Sequence, residues 1–464
     1  MYYKLKENLI LRGWTKLPYA ICNKINGQTF FLTENEFQTV SLCNGQIDID
    51  SFFILPIQKE IIKNLEKNGL VEKCEKGNEI LEEQKYKLYN CRYIYQAHWS
   101  ITGKCNFKCK HCYLSAPHSK FGELSHETCI NIIKQLAECG IMNVSITGGE
   151  PLYRSDFIEI IDELLKNKIN ISQIYSNAAL INDELLDKLE SRGIKPEFSI
   201  SFDGIGWHDW IRGIKGAEKM AINAFKLLNK RGFPIDVEMC IHKNNSHTLE
   251  ETINTLAQLG VNSIKTNPVH DTGEWTKEKG IYNLTTKELY DIYLDYIPKF
   301  FKAGSPLTIH LGGFFICEKG QKDYIIPAIR FDGSKTCKNQ TICGHARNVM
   351  YIGPDGQLLP CMPLAGLEIN GPKTFITEMP LHIALNNSNY ISLIDTRLDE
   401  FLKKNKKCND CDYKFTCGGG CRAGALMSTG DYFGCDESIC TLFKDGYIDR
   451  IKAVSSEAIN SMKM

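Results

Sequence analysis

Apolar residues between positions 91 and 305 recur with two alternating periods. Short runs rich in β-branched and aromatic residues, at 95–102, 143–147, 171–176, 197–202, 236–241 and 263–267, read as strands. The stretches between them, 126–139, 156–166, 183–191, 218–230 and 249–259, place apolar residues at helical spacing, and 287–301 adds a last helix. Six strand-then-helix units with short loops predict a parallel sheet with helices outside, with too few units for a closed eight-unit barrel. The first ninety residues follow another rhythm. Short strands fit 9–12 and 19–25, Asn26-Gly27 makes a hairpin turn, and 29–32 returns. Thr33-Glu-Asn-Glu36 has the form of a capping box, opening a helix to about residue 42. A second helix fits 57–67, with Ile61, Ile62 and Leu65 on one face; Asn68-Gly69 ends it, 70–73 reads as a wing strand, and 77–87 reads as a linker.

Composition narrows the classes. A chain of 464 residues is long for one domain. Its 55 basic and 55 acidic residues argue against an electrostatic binder of nucleic acid or of anionic membrane. The opening Met1-Tyr-Tyr-Lys-Leu-Lys-Glu is too polar for a signal peptide, and no apolar run is long enough to span a bilayer, so a cytoplasmic location is expected. Twenty Cys in such a chain suggest metal or cluster ligation rather than disulfides.

Chemistry concentrates where the strands end. Cys105-Asn-Phe-Lys-Cys109-Lys-His-Cys112-Tyr113 follows the first strand, Gly148-Gly149-Glu150-Pro151 the second, Ser176-Asn177 the third, and Ser199-Ile-Ser201-Phe-Asp203-Gly204 the fourth. Arg212 follows in Ile-Arg-Gly-Ile-Lys-Gly-Ala. Three thiols are one short of a closed tetrahedral site; a zinc knuckle borrowing His111 is one reading, and a cluster with one open iron is the other. The Cys105-x3-Cys109-x2-Cys112-Tyr113 and Gly-Gly-Glu-Pro motifs resemble those of radical S-adenosylmethionine (SAM) enzymes, which use a partial (β/α)6 barrel. That resemblance implies a [4Fe–4S] cluster on Cys105, Cys109 and Cys112, with the amino and carboxylate groups of SAM on the open iron. It implies Gly148, Gly149 and Glu150 at the SAM ammonium, Ser176, Asn177, Ser201 and Asp203 at its other polar atoms, Arg212 at its carboxylate and Tyr113 beside adenine.

Cysteines thicken again near the C-terminus. Cys337-x5-Cys343 leads into Cys343-x12-Gly356-x4-Cys361, then Cys408-x2-Cys411-x5-Cys417-x3-Cys421, with Cys435 and Cys440 beyond and Gly418-Gly-Gly420 inside the run. A ribbon-like zinc site on Cys408, Cys411, Cys417 and Cys421 would leave the other thiols unexplained. The run resembles the SPASM extension of radical SAM peptide maturases, which holds two further [4Fe–4S] clusters. Carried over, the first takes Cys337, Cys343, Cys361 and Cys421; the second takes Cys408, Cys411, Cys417 and Cys440, with Cys435 the rival for the last place. Cys22, Cys43, Cys74, Cys91, Cys129, Cys139, Cys240 and Cys317 are left as core thiols; a non-cluster Cys, 317 or 435, is a conceivable hydrogen-atom donor.

The outline of residues 1–88 resembles the winged-helix domain by which such maturases take an extended leader peptide as an added strand. The expected organisation is therefore an α/β chain with a leader-recognition domain at 1–88, a radical SAM partial barrel at 89–305 and a SPASM domain at 306–464. The expected cofactors are three [4Fe–4S] clusters and SAM; the expected partners are a ribosomally made precursor peptide and a flavodoxin- or ferredoxin-like electron donor. Resemblance around Gly122-Glu-Leu-Ser-His126, together with the N-terminal domain, points to a Cys thioether crosslink. Carbon–carbon crosslinking, Cα epimerisation and sulfatase-type oxidation are the rivals within the class, and a zinc-bearing peptide adaptor or a pure electron carrier lies outside it.

Overall fold

A computed structural model describes residues 1–278 and 280–462. Its N-terminal strands are β1 (Tyr2–Leu5), β2 (Leu9–Thr15), β3 (Leu17–Asn23), β4 (Thr29–Phe31), β5 (Val71–Cys74) and β6 (Lys87–Arg92). β4, β3, β2 and β6 form one sheet in that order, while β1 and β5 pair antiparallel as a separate ribbon. Helix α1 (Glu34–Val40) begins at Thr33, whose hydroxyl accepts from the Glu36 N–H while the Glu36 carboxylate accepts from the Thr33 N–H. Helix α2 (Pro56–Lys67) buries Ile62 and Leu65 against Leu5, Leu11, Ile21 and Val71.

β1 was not legible as a strand, because Tyr2-Tyr-Lys-Leu5 alternates too briefly to stand out. The expected linker is ordered as well. Gln84 is 1% exposed, and its amide donates to the carbonyls of Lys6 at 2.8 Å, Leu9 at 3.0 Å and Leu5 at 3.3 Å. It thereby ties the ribbon to the sheet before β6 runs parallel to β2. Gln84→Ala removes these bonds, leaving the Lys6 carbonyl only its bond from the Leu9 N–H, and is expected to lower local stability by about 1–3 kcal/mol. Amide hydrogen exchange of β1 and β2 should accelerate accordingly, and unchanged protection there would contradict the assignment.

The central sheet follows the expected alternation. β7 (Gln96–Ser100), β8 (Asn143–Thr147), β9 (Asn170–Ser176), β10 (Glu197–Ser201), β11 (Ile235–Ile241) and β12 (Ser263–Pro268) lie parallel in chain order. Between and after them come α3 (His126–Glu138), α4 (Phe157–Lys166), α5 (Asp183–Glu190), the short α6 (His208–Arg212), α7 (Ala217–Arg231), α8 (Leu249–Gln258) and α9 (Thr286–Lys302). The sheet continues past residue 305. β13 (Thr308–Leu311) adds parallel to β12, followed by antiparallel β14 (Phe315–Cys317) and β15 (Tyr324–Ile325). On the opposite edge β16 (Val349–Ile352) runs parallel to β7 and carries β17 (Leu358–Leu359). The Cys-rich region thus supplies strands to both edges of an eleven-stranded sheet.

Alternation decides what the sheet faces. Val144, Ile146, Ile174, Phe198, Ile200, Val237, Met239 and Ile264 are fully buried in the core that the helices Ile132, Ile160, Leu189 and Leu228 complete. The alternate positions are polar: Ser145, Gln173, Ser199, Asp236, Glu238 and Lys265 line the concave side. Lys265 reaches Glu238 at 3.3 Å, with 44% of its side chain accessible. The concave side is therefore polar and partly open at Lys265, while Ser145 and Ser199 lie buried at its floor. No described helix is long and apolar enough to cross a membrane.

Candidate active site

The loop after β7 holds Cys105, Cys109 and Cys112. Three neighbours fix its backbone. From β8, the Gly149 N–H donates to the Thr102 carbonyl at 2.8 Å and the Glu150 N–H to the Lys104 carbonyl at 2.9 Å. A Cβ at Gly149 would stand 2.2 Å from the Lys104 carbonyl oxygen, so only glycine allows this approach. From α6, the Ile211 carbonyl accepts from the Lys110 N–H at 2.8 Å. From the β12–α9 connection, the Glu274 N–H donates to the Cys112 carbonyl at 3.0 Å. The cysteine and Gly-Gly-Glu-Pro motifs, about forty residues apart in sequence, are hydrogen-bonded to each other.

The sulfurs are surrounded by donors. The Phe107 N–H lies 3.4 Å from Cys105 Sγ and the Ala116 N–H 3.3 Å from Cys112 Sγ. Arg212 Nη1 is 3.8 Å from Cys109 Sγ, and Asn177 Nδ2 is 3.8 Å from Cys105 Sγ. Burial pushes the Cys105 thiol up to about 12 and the Cys112 thiol to about 11, and raises Cys109 as well. Without a metal these thiols stay protonated; with one, the N–H groups are placed to hydrogen-bond the resulting thiolates. Three converging thiols ringed by donors, with no fourth thiol in the loop, fit a cluster that keeps one iron open.

Of the residues expected at SAM, most fall around these thiols. Glu150 is fully buried and accepts from Asn177 N–H at 2.7 Å, Ser176 Oγ at 3.0 Å and Leu152 N–H at 3.2 Å. Burial outweighs these bonds and pushes its carboxyl up to about 7. A ligand ammonium nearby would relieve that cost. Asn177 also bonds Asn106 Oδ1 at 2.8 Å, which links the third strand end to the cysteine loop. Asp203 is fully buried and accepts from Arg212 Nε at 2.6 Å and the Cys240 N–H at 2.9 Å. Burial alone would raise its pKa, but the Arg212 guanidinium overrides this and holds it well below the usual carboxylate range. Ser201 ends β10 on the concave side, and Gly148 precedes Gly149. Tyr113 packs with Leu114, Tyr351 and Ala365, so β16 from the Cys-rich region roofs this corner of the site.

His111 does not join the thiols as a knuckle ligand. It groups with Asp203 and Cys240, their ligand atoms within 4.8 Å of one another. Asp203 is already paired with Arg212 there, which disfavours a further cation. His208, whose Nδ1 accepts from the Asp203 N–H at 3.0 Å, is a buttress that the sequence did not single out. Glu238 and Lys265 were missed too, although polar residues at every second position of β11 and β12 were a usable sign of a partly open concave face.

The remaining cysteines fall into two neighbourhoods. Cys343, Cys361 and Cys421 feel one another's charge. Cys408, Cys417 and Cys440 do likewise, with Cys411 beside Cys408. Cys435 joins this second group next to Cys408 and Cys440, so the rival for the last ligand stands among the expected ones. Cys337 packs in an apolar cluster with Cys408 and Cys435. Gly418, Gly419 and Gly420 have φ of 62°, 82° and 74°, three successive left-handed residues that wrap the chain between Cys417 and Cys421.

Comparison with known proteins fits this geometry. Residues 99–256 match the Radical SAM superfamily. The AdoMet-dependent heme synthase of Methanosarcina barkeri is 26% identical over 72% of this chain and 93% of its own. The PqqA peptide cyclase of Gluconobacter oxydans is 24% identical over 76% and 91%. Among solved structures, Streptococcus suis SuiB bound to precursor peptide SuiA superposes with a TM-score of 0.66 at 17% identity, covering 95% of this chain and 100% of that one.

Proposed function

Since residues 99–256 are a radical SAM domain, we propose that the chain is a maturase of a ribosomally synthesised peptide that most readily forms a Cys thioether crosslink. The observation that carries the proposal is the pairing of an incomplete thiol set, Cys105, Cys109 and Cys112, with two further thiol groups in the C-terminal region. When bound, a [4Fe–4S] cluster on the first three thiols supplies the electron that cleaves SAM. The rest is the work of side chains. Glu150 accepts the ammonium of SAM, and Ser176, Asn177 and Ser201 offer hydrogen bonds to its polar atoms. Arg212, held by Asp203, presents positive charge beside Cys109 for the carboxylate. Tyr113 and Tyr351 cover the adenine side. Cys343, Cys361 and Cys421 would hold one auxiliary cluster, and Cys408, Cys411, Cys417 and Cys440 the other; Cys337, the fourth ligand expected for the first, packs instead beside Cys408 and Cys435 and would have to turn to reach it.

The leader peptide adds a strand to the N-terminal domain. β4 is the edge strand of its sheet, and Phe31 there is 55% exposed. The domain sits on the barrel through Trp14 Nε1, which donates to the Cys139 carbonyl at 3.0 Å, and Tyr95 Oη, which donates to the Asn26 carbonyl at 3.1 Å. The core peptide then enters the polar hollow. A competing reading, a tetrapyrrole substrate, draws on the match to the heme synthase. The peptide reading is preferred because SuiB, solved with its precursor peptide, covers the N-terminal domain as well as the barrel.

The test is anaerobic purification followed by metal analysis and peptide mass spectrometry. About twelve irons per chain, with matching sulfide, are expected. A peptide from a neighbouring short reading frame should lose two hydrogens per crosslink, whereas epimerisation would leave its mass unchanged. Zinc without sulfide would sink the enzyme reading in favour of an adaptor, and iron without SAM cleavage under dithionite would favour an electron carrier.

A further inference from the structure

Arg422 is a buried cation that makes no ion pair with an acid among the described residues. It follows Cys421, opens the helix Arg422–Thr429 and is 2% exposed. Its guanidinium lies over the Phe401 ring, 4.6 Å from the centroid, and donates to carbonyls alone: Gly434 at 3.0 Å, Tyr432 and Gly420 at 3.1 Å, and Gly419. Arg330 Nη1 donates to the same Gly420 carbonyl at 2.5 Å. The carboxylate on this side, Asp436, is spent on the backbone N–H groups of Cys421 at 3.0 Å, Ser438 at 3.1 Å and Ile439 at 3.3 Å. No ion pair joins either arginine to an acid among the described residues. Asp436 acts on the guanidinium only at longer range, without an ion pair, and burial still outweighs it and lowers the Arg422 pKa, so the site is short of negative charge and suited to a further anion.

The position says which anion. Arg422 adjoins Cys421 of the first thiol group, and Phe401 beneath it packs with Cys408 of the second. Lys265 approaches Cys361 and Cys421 from the hollow. A [4Fe–4S] core on thiolates is net negative and becomes more so on reduction. We propose that Arg422, with Arg330 as a second charge, is the buried counter-ion of the auxiliary clusters and holds their potentials high enough to take electrons from the substrate. This rests on the twin-cluster reading above. Removing positive charge disfavours the reduced, more negative state, so the potential should fall.

The test is a redox titration followed by electron paramagnetic resonance, in full-length chain carrying Cys105→Ala, Cys109→Ala and Cys112→Ala so that only auxiliary clusters report. Arg422→Gln and Arg330→Gln should each lower at least one couple, cutting the reduced-to-oxidised ratio at fixed potential roughly tenfold, or about 59 mV for one electron. Arg422→Lys, which keeps the charge but not the fork, should stay nearer the parent. The proposal is overturned if both Gln variants retain iron and titrate as the parent, or if Lys moves the couple as far as Gln. It is also overturned if Arg422→Gln loses its iron while Arg330→Gln titrates unchanged. A parent that loads no iron overturns the twin-cluster reading and this proposal with it. A parent with about eight irons whose potentials ignore the arginines overturns this proposal alone.

Discussion

Replacing Cys105, Cys109 and Cys112 together with Ala is expected to abolish 5′-deoxyadenosine formation under dithionite and to remove about a third of the bound iron, while leaving the fold intact. The fold should survive because the main-chain bonds that anchor this loop to its neighbours do not involve sulfur, although the weak N–H contacts to Cys105 and Cys112 Sγ are lost. The Lys110 N–H to Ile211 carbonyl bond, the Glu274 N–H to Cys112 carbonyl bond and the Gly149–Thr102 contact are all main-chain. Ala keeps each of them. What disappears is the set of three ligands, and no neighbouring side chain replaces them. His111 is turned toward Asp203 and Cys240, and Glu150 is engaged by Ser176, Asn177 and Leu152. Iron analysis, circular dichroism and chromatography of the nucleoside check the three parts separately. Continued 5′-deoxyadenosine production by the triple variant would falsify the assignment of the radical centre to this loop.

Much of this arrangement was legible because strong local rules agreed with the tertiary structure. The six strands and their helices could be read to within about two residues, since the strands are bounded by glycine and polar turns and the helices start at usable caps such as Ser125, Asn182 and Thr285. The joining of Gly149 to the cysteine loop followed from both motifs lying at strand ends on one side of a parallel sheet. Other features had no local signature. β16 reaches the β7 edge from about 250 residues away, and Val349-Met-Tyr-Ile352 does not announce a partner. The burial of Gln84 depends on three carbonyls contributed by β1, β2 and the turn between them. The grouping of Cys435 with Cys408 and Cys440 depends on how the glycine run folds back, which spacing does not determine. Arg422 could not be singled out, because sequence shows a cation but not whether an acid stands beside it.

Arg212→Met is expected to destabilise the cluster-free chain by about 3–5 kcal/mol near neutral pH, in addition to weakening SAM binding. The magnitude comes from what is left behind. Asp203 has no exposed surface, and its charge is matched only by Arg212 at 2.6 Å, the Cys240 N–H at 2.9 Å and a neutral His208. With Arg212 present the folded pKa of Asp203 lies below its unfolded value, so the pair contributes stability above the unfolded pKa and loses it as pH falls through the folded one. With Met in place, burial is no longer opposed and the folded pKa rises above the unfolded value. The variant's deficit should then be small near pH 4 and should grow as pH rises toward about 7, because folding must keep an unpaired carboxylate buried. Asp203→Asn in the same chain removes that charge and should recover most of the stability without restoring SAM binding. Urea denaturation of the three proteins at acid and neutral pH, alongside SAM titration, separates the two effects. A deficit that is the same at both pH values, or one that Asp203→Asn does not relieve, would mean that Arg212 acts by packing on the cysteine loop and not by balancing Asp203.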